Sequence, residues 1–145
     1  MHVQAILSRK GSDVATVEAG ATVARAVELL REHGVGALVV SDDGRIIEGI
    51  ISERDVVRRL AAEGAEVLDS TVARVMTRAV TTCGAEDDLD HLMQLMTDKR
   101  IRHVPVVEEH GALIGIISIG DVVKQRLGHL ESENQALFDY FTNSR

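Results

Sequence analysis

The chain has 145 residues, 45% of them hydrophobic and 27% charged, with a formal net charge of −7 at pH 7. That length buries a real core and the composition is that of a globular protein, while the acidic balance argues against a general polyanion partner such as nucleic acid. Phe138, Tyr140 and Phe141 are the only aromatics, so the core is aliphatic and the stacking platforms that single-stranded nucleic acid needs are missing.

Residues 1–11 hold no long apolar run, so no signal peptide is expected. No apolar run approaches the ~18 residues of a membrane span. A cytoplasmic setting with no membrane partner is the expectation. Residues 2–7 are expected to lead into a first unit through helical turns, followed by a strand at 14–17. Val23, Ala26, Val27 and Leu30 have the i, i+3, i+4, i+7 spacing of one helix face. VGALVV at 35–40 is a short β-branched strand. Asp42, Asp43 and Gly44 supply a turn, a strand follows at 46–51, and a helix begins near Glu53. Residues 63–69 form a linker, and 70–76 one or two helical turns leading into a second unit. There the order recurs: a strand at 80–82, a helix face of Leu89, Leu92, Met93 and Met96, a strand at 101–106, a turn at 108–111, a strand at 113–117 and a helix from near Ile119. Pro105 lacks a donor, which predicts an edge strand or a strand end.

The recurrence is a duplication. GIISERDVV at 49–57 and GIISIGDVV at 115–123 lie 66 residues apart and agree at seven of nine positions. A unit of about 60 residues is marginal alone. Two copies packed face to face overcome this, and pseudo-twofold packing creates two related clefts.

Ser52-x-x-Asp55 and Ser118-x-x-Asp121 each sit where a strand hands over to a helix, and they admit two readings. A Ser N-cap with an acid three residues on is a capping box, and the carboxylate suits the helix dipole. Alternatively, an ionised Asp at an exposed helix start accepts two neighbouring hydroxyls, as a ribose diol presents. The readings are compatible, since Ser can cap while Asp faces a ligand.

The paired GIIS-x-x-D-V-V segments, the IRHVPVV run at 101–107 and the 66-residue period resemble a CBS-domain pair, or Bateman module. The resemblance covers about residues 1–128. It extends to stand-alone bacterial CBS-pair proteins labelled as related to inosine-monophosphate dehydrogenase, without that enzyme's catalytic barrel. It implies an α/β (α+β) fold of tandem repeats, 1–66 and 67–128, each strand-helix-strand-strand-helix, with a helical extension at 129–145.

In function the resemblance implies a regulatory module, not an enzyme. Such a module binds AMP, ATP, NAD(H) or a similar adenosine-containing ligand between the repeats and signals energy or redox state through a homodimer, with an effector protein as a further partner. A purely structural dimerisation module is the alternative. One implied cleft has Asp121 on the ribose, Ser118 and Gly120 beside it, Ile116 on the adenine, and a wall of Val14, Ala15, Val35, Gly36 and Ala37. The other has Asp55 on the ribose with Ile50, Ser52 and Arg54, walled by Thr77, Val80, Thr81, Ile101, Arg102 and His103. Arg54 stands where the second copy has Gly120, and Arg102 and His103 where the first has Gly36 and Ala37. Phosphates are therefore expected near Arg102 and Arg54, since Arg suits bidentate phosphate contacts.

The six histidines show no metal-ligand spacing, Gly34-Val35-Gly36 lacks the rest of a dinucleotide fingerprint, and lone Cys83 reads as a small buried residue. Leu127, Leu130, Asn134, Leu137, Phe138 and Phe141 fall near one stripe of the C-terminal helix. That stripe is expected to pack on its own domain or on a second copy, and the family pattern favours the dimer.

Overall fold

A computed structural model describes residues 1–143. In chain order the elements are α1 (Val3–Lys10), β1 (Thr16–Val17), α2 (Val23–His33), β2 (Ala37–Val40), β3 (Gly49–Ser52), α3 (Glu53–Glu63), a 3-10 turn at Ala65–Asp69, α4 (Val72–Val75), α5 (Leu89–Lys99), β4 (His103–Val107), β5 (Leu113–Ser118) and α6 (Ile119–Asn143). The last two residues of the expected extension, 144 and 145, lie outside the described residues. No described helix is long and apolar enough to cross a membrane.

The first repeat forms a three-stranded sheet in the order β1-β2-β3. β1 runs parallel to β2 and β2 antiparallel to β3, pairing Ala37 with Ser52 and Val40 with Gly49. The second repeat keeps β4 antiparallel to β5, with His103 opposite Ser118. Its expected first strand at 80–82 does not form, and only Cys83 bridges to Val106. Pro105 explains the loss. In the first repeat Val39 N–H donates to the Ala15 carbonyl and Ser41 N–H to that of Val17. The counterpart of the second bond survives, from Val107 N–H to the Cys83 carbonyl at 2.8 Å. The counterpart of the first would need an N–H on Pro105. Pro105 thus sits within β4, on the edge turned away from β5.

The leading helices exchange partners. α1 does not enter the first core: Val3, Ile6 and Leu7 pack with Leu89, Leu92, Met96, Val104, Val106, Ile117 and Val122. Val67, Val72, Val75 and Met76 pack with Val17, Val23, Ala26, Leu30, Leu38, Val40 and Ile51. Backbone bonds pin both placements, Val3 N–H to the Asp87 carbonyl at 2.9 Å and Val72 N–H to that of Ala21 at 2.8 Å. These two bonds are equivalent, so the leading helices correspond at an offset of 69 rather than 66. Six residues separate Leu7 from Val14, whereas three separate Met76 from Val80. The additional residues extend α1 by about one turn.

The GIIS glycines permit this packing. A Cβ on Gly115 would sit 2.6 Å from Leu7 Cδ2, and one on Gly49 would sit 2.6 Å from Met76 Sδ. Val23, Ala26 and Leu30 are buried as their spacing predicts, while Val27 remains exposed. Thr22 caps α2 by accepting from Arg25 N–H at 3.1 Å. Gly34 ends the helix in the left-handed conformation.

Candidate functional site

Both Ser-x-x-Asp segments make the cap that their pattern predicts. Ser52 N–H donates to Asp55 Oδ2 at 2.9 Å and Asp55 N–H to Ser52 Oγ at 3.3 Å. The second copy repeats this, from Ser118 N–H to Asp121 Oδ2 at 2.9 Å and from Asp121 N–H to Ser118 Oγ at 3.1 Å. The caps occupy one carboxylate oxygen of each Asp with the backbone. The surroundings of the two aspartates then diverge.

Asp55 borders a cavity of about 710 Å³ between the repeats, within the size range of small-molecule sites. Ile50, Ser52, Arg54, Asp55, Thr77, Val80, Thr81, Ile101, Arg102 and His103 all line it, so the structure brings together every residue expected around Asp55. Thr77 arrives through an antiparallel bridge: Ile50 N–H donates to the Thr77 carbonyl and Thr77 N–H to that of Ile50. Its hydroxyl donates to Asp55 Oδ1 at 3.2 Å.

Five cationic side chains line this cavity, Arg54, Arg58, Lys99, Arg100 and Arg102, against the carboxylates of Glu53 and Asp55. In a protein of net charge −7 this concentration is a local anion-attracting field. Lys99 and Arg100 come from the basic end of α5, which helix-dipole complementarity alone accounts for in sequence. Arg100 is the one non-glycine residue with positive φ among those described, at 54°. It occupies the left-handed C-cap position that Gly34 fills in the first repeat, where glycine carries no steric penalty. Its carbonyl accepts from Arg54 Nη1 at 3.2 Å, which ties α3 to the end of α5 across the cavity. The Gly34–Arg100 mismatch is visible at the 66-residue offset and is the signal that sequence reasoning missed.

The residues expected around Asp121 are distributed differently. Ser118, Gly120 and Asp121 stay together at the start of α6. Gly36 and Ala37 line the Asp55 cavity, because β2 begins opposite Ser52. Val35 lines a shallower apolar hollow with Val27, Val56 and Val57. Val14, Ala15 and Ile116 are half-buried. Asp121 Oδ2 is taken by Lys10 Nζ at 2.5 Å. Burial works against ionisation of this carboxyl, but the Lys10 ammonium and the Ser118 N–H outweigh it and hold the acid below the ordinary carboxylate range.

His103 lines the Asp55 cavity and is within electrostatic reach of Lys10 and Asp121. A Cβ on Gly36 would approach its Cε1 to 3.1 Å. Burial pushes its pKa below the usual histidine value, and Lys10 and Arg102 act in the same direction. Glu53 and Asp121 oppose them. The imidazole is therefore neutral at neutral pH and acts as a polar wall rather than a fixed cation. Cys83 is buried in the second core, and its thiol is pushed up to about 12 by desolvation and then by Asp87.

The family model described as "CBS domain" matches residues 3–62 and 72–128. A mitochondrial CBS domain-containing protein of Arabidopsis thaliana is 41% identical over 123 residues; the match covers 82% of this chain and 59% of the plant protein's length. A CBS-domain-containing protein of Agrobacterium tumefaciens superposes with a TM-score of 0.83 at 47% identity, over 87% of this chain and 99% of that one. The CBS domain pair of protein MJ0100, in complex with 5′-methylthioadenosine and S-adenosyl-L-methionine, superposes with a TM-score of 0.78 at 25% identity, over 89% and 98%. A CBS domain protein of Pyrobaculum aerophilum complexed with AMP does so with a TM-score of 0.74 at 25% identity, over 83% and 89%.

Proposed function

The chain belongs to the CBS-domain family, and from that premise we propose that it is a regulatory module that binds an adenosine-containing ligand in the Asp55 cleft. The observation that carries this reading is the inter-repeat cavity of about 710 Å³, with an aspartate at a helix start and five cations on its walls. In this reading Asp55 Oδ1 exchanges the Thr77 hydroxyl for a ribose hydroxyl, and Ile50 and Ile101 flank the base. Arg54, Arg58, Lys99, Arg100 and Arg102 receive phosphate. Their number favours AMP, ATP or NAD(H) over the positively charged sulfonium of S-adenosylmethionine. The module signals by conformation and not by catalysis, and an effector protein reads its state.

A homodimer fits this role. Val27, Val35 and Val57 lie exposed on the first repeat, with Val123, Leu127, Leu130, Leu137, Phe138 and Phe141 exposed along α6. Exposed apolar side chains of this kind are what association covers.

A thermal-shift panel of AMP, ATP, NAD, NADH and S-adenosylmethionine tests the ligand reading. Ligand at about 100 times its Kd stabilises the fold by about 2.7 kcal/mol, which moves the melt by roughly 5–10 °C. Asp55→Asn should abolish the shift and cost only about 1 kcal/mol through the weakened cap. The complete capping boxes favour a second reading, a structural interaction module without ligand. It prevails if no member of the panel moves the melt and native mass spectrometry shows a dimer with nothing bound.

A further inference from the structure

The duplication presents two aspartates in equivalent caps, yet the chain itself treats them unequally. After Met76 the backbone leaves the helix (Met76 φ −58°, ψ 154°), and Thr77 pairs with Ile50 as an extended segment. Thr77 therefore meets Asp55 with a neutral hydroxyl at 3.2 Å, a partner that can rotate aside and is replaced by a ligand hydroxyl of the same chemistry. At the equivalent point after Leu7 the helix does not stop. α1 continues through Ser8, Arg9 and Lys10 before Gly11 ends it. That extra turn delivers Lys10 Nζ to Asp121 Oδ2 at 2.5 Å, with the two side chains 30% and 24% exposed.

In both copies the cap takes Oδ2 of the aspartate, so the difference lies in what else meets the carboxylate. Asp121 Oδ2 already serves the Ser118 N–H and the ammonium together, and the ammonium stands on the approach to Asp121. Displacing it would leave a partly buried cation without its counter-ion, which a neutral diol cannot replace. The same ion pair joins α1 to α6, the first helix to the last.

Building on the ligand reading above, we propose that Lys10 occupies Asp121 in place of a ligand, so that the chain loads one adenosine-type ligand, in the Asp55 cleft. The lock is a property of the three residues by which the 8–13 segment exceeds its counterpart. A single charge-removing substitution opens it.

The test counts AMP bound per chain by native mass spectrometry and equilibrium dialysis of the full-length protein. Wild type should bind one AMP, Asp55→Asn none, and Lys10→Met, which keeps the apolar stem, two. Lys10→Arg should retain one, and Lys10→Met combined with Asp121→Asn should return the count to one. Lys10→Gln replaces Lys10→Met if the latter melts early. A wild type that binds two, one of which is lost in Asp121→Asn, overturns the lock, as does a Lys10→Met protein that gains none. The ligand reading fails separately: a wild type that binds none refutes it for AMP, while a rise from none to one in Lys10→Met still establishes the lock.

Discussion

Gly49 and Gly115 stand at the same place in the duplicated segment, yet alanine should cost more at Gly49. A methyl on Gly49 would lie 2.8 Å from the Thr77 carbonyl oxygen as well as 2.6 Å from Met76 Sδ. The thioether can turn away. The carbonyl cannot, because it accepts from Ile50 N–H at 3.0 Å while Thr77 N–H donates back at 2.8 Å. The bridge must stretch or part, at a cost of about 2–3 kcal/mol. A methyl on Gly115 meets only Leu7, with Cδ2 at 2.6 Å and Cδ1 at 3.6 Å. A rotation of that side chain accommodates it for about 1 kcal/mol. At roughly 2–4 °C per kcal/mol for a chain of this size, Gly49→Ala should melt about 5–10 °C below wild type and Gly115→Ala about 3 °C below. Urea unfolding with unchanged m-values gives the free energies directly. Because Thr77 also carries the hydroxyl on Asp55 Oδ1, Gly49→Ala should in addition shrink the ATP-induced thermal shift, which Gly115→Ala should leave intact. Equal costs within about 0.5 kcal/mol, or a costlier Gly115→Ala, would refute the reasoning.

Arg100→Gly should raise stability by about 0.5 kcal/mol, since relief of the left-handed strain exceeds the entropy that glycine adds to the unfolded chain. It should also reduce the ATP-induced shift, and a lowered melt with that shift unchanged would contradict both roles. Cys83, buried with its thiol pushed up to about 12, should resist iodoacetamide at pH 8 until the protein unfolds, because the thiolate is the reactive form. Labelling of native protein at the rate of a free thiol would count against this. Stability should decline with acid in two stages. His103 has its folded pKa depressed, so its contribution is full above the ordinary value near ~6.5 and is lost as pH falls through the folded value; His103→Gln should flatten that stage. Asp121 and Glu63 are likewise depressed, so their share is present above ordinary carboxylate values and is lost as pH falls below them. Lys10→Met should diminish this second stage, and urea midpoints across pH 7 to 3 that are insensitive to both variants would exclude the assignment.

Much of the fold is legible in the 66-residue repeat because apolar periodicity reports which face of an element is buried. Val23, Ala26 and Leu30, then Leu89, Leu92 and Met96, are all in cores as their spacing requires. Periodicity does not report which neighbour covers that face. Val3, Ile6 and Leu7 read as a helix beside the first unit but complete the second core, and Val72 and Val75 complete the first. Sequence distance points to the wrong partner because a leading helix packs where its backbone can be bonded, at Ala85 and Asp87 for α1 and at Ala19 and Ala21 for α4. The strand expected at 80–82 fails for a reason already present in the chain, since Pro105 stands where Val39 donates. The residues that the family resemblance implies around Asp55 line one cavity. Lys10, which meets Asp121, lies outside the implied set because it comes from α1, where the register is 69. Equivalent motifs therefore diverge through segments outside the repeat they share, and the chemistry of each aspartate follows from the length of the helix that precedes its cleft. Shortening α1 by deleting three residues between Leu7 and Val14 should accordingly make the Asp121 cleft behave like the Asp55 cleft. The AMP count should rise as expected for Lys10→Met, and a count unchanged in a folded deletion variant would show that more than the extra turn separates the two sites.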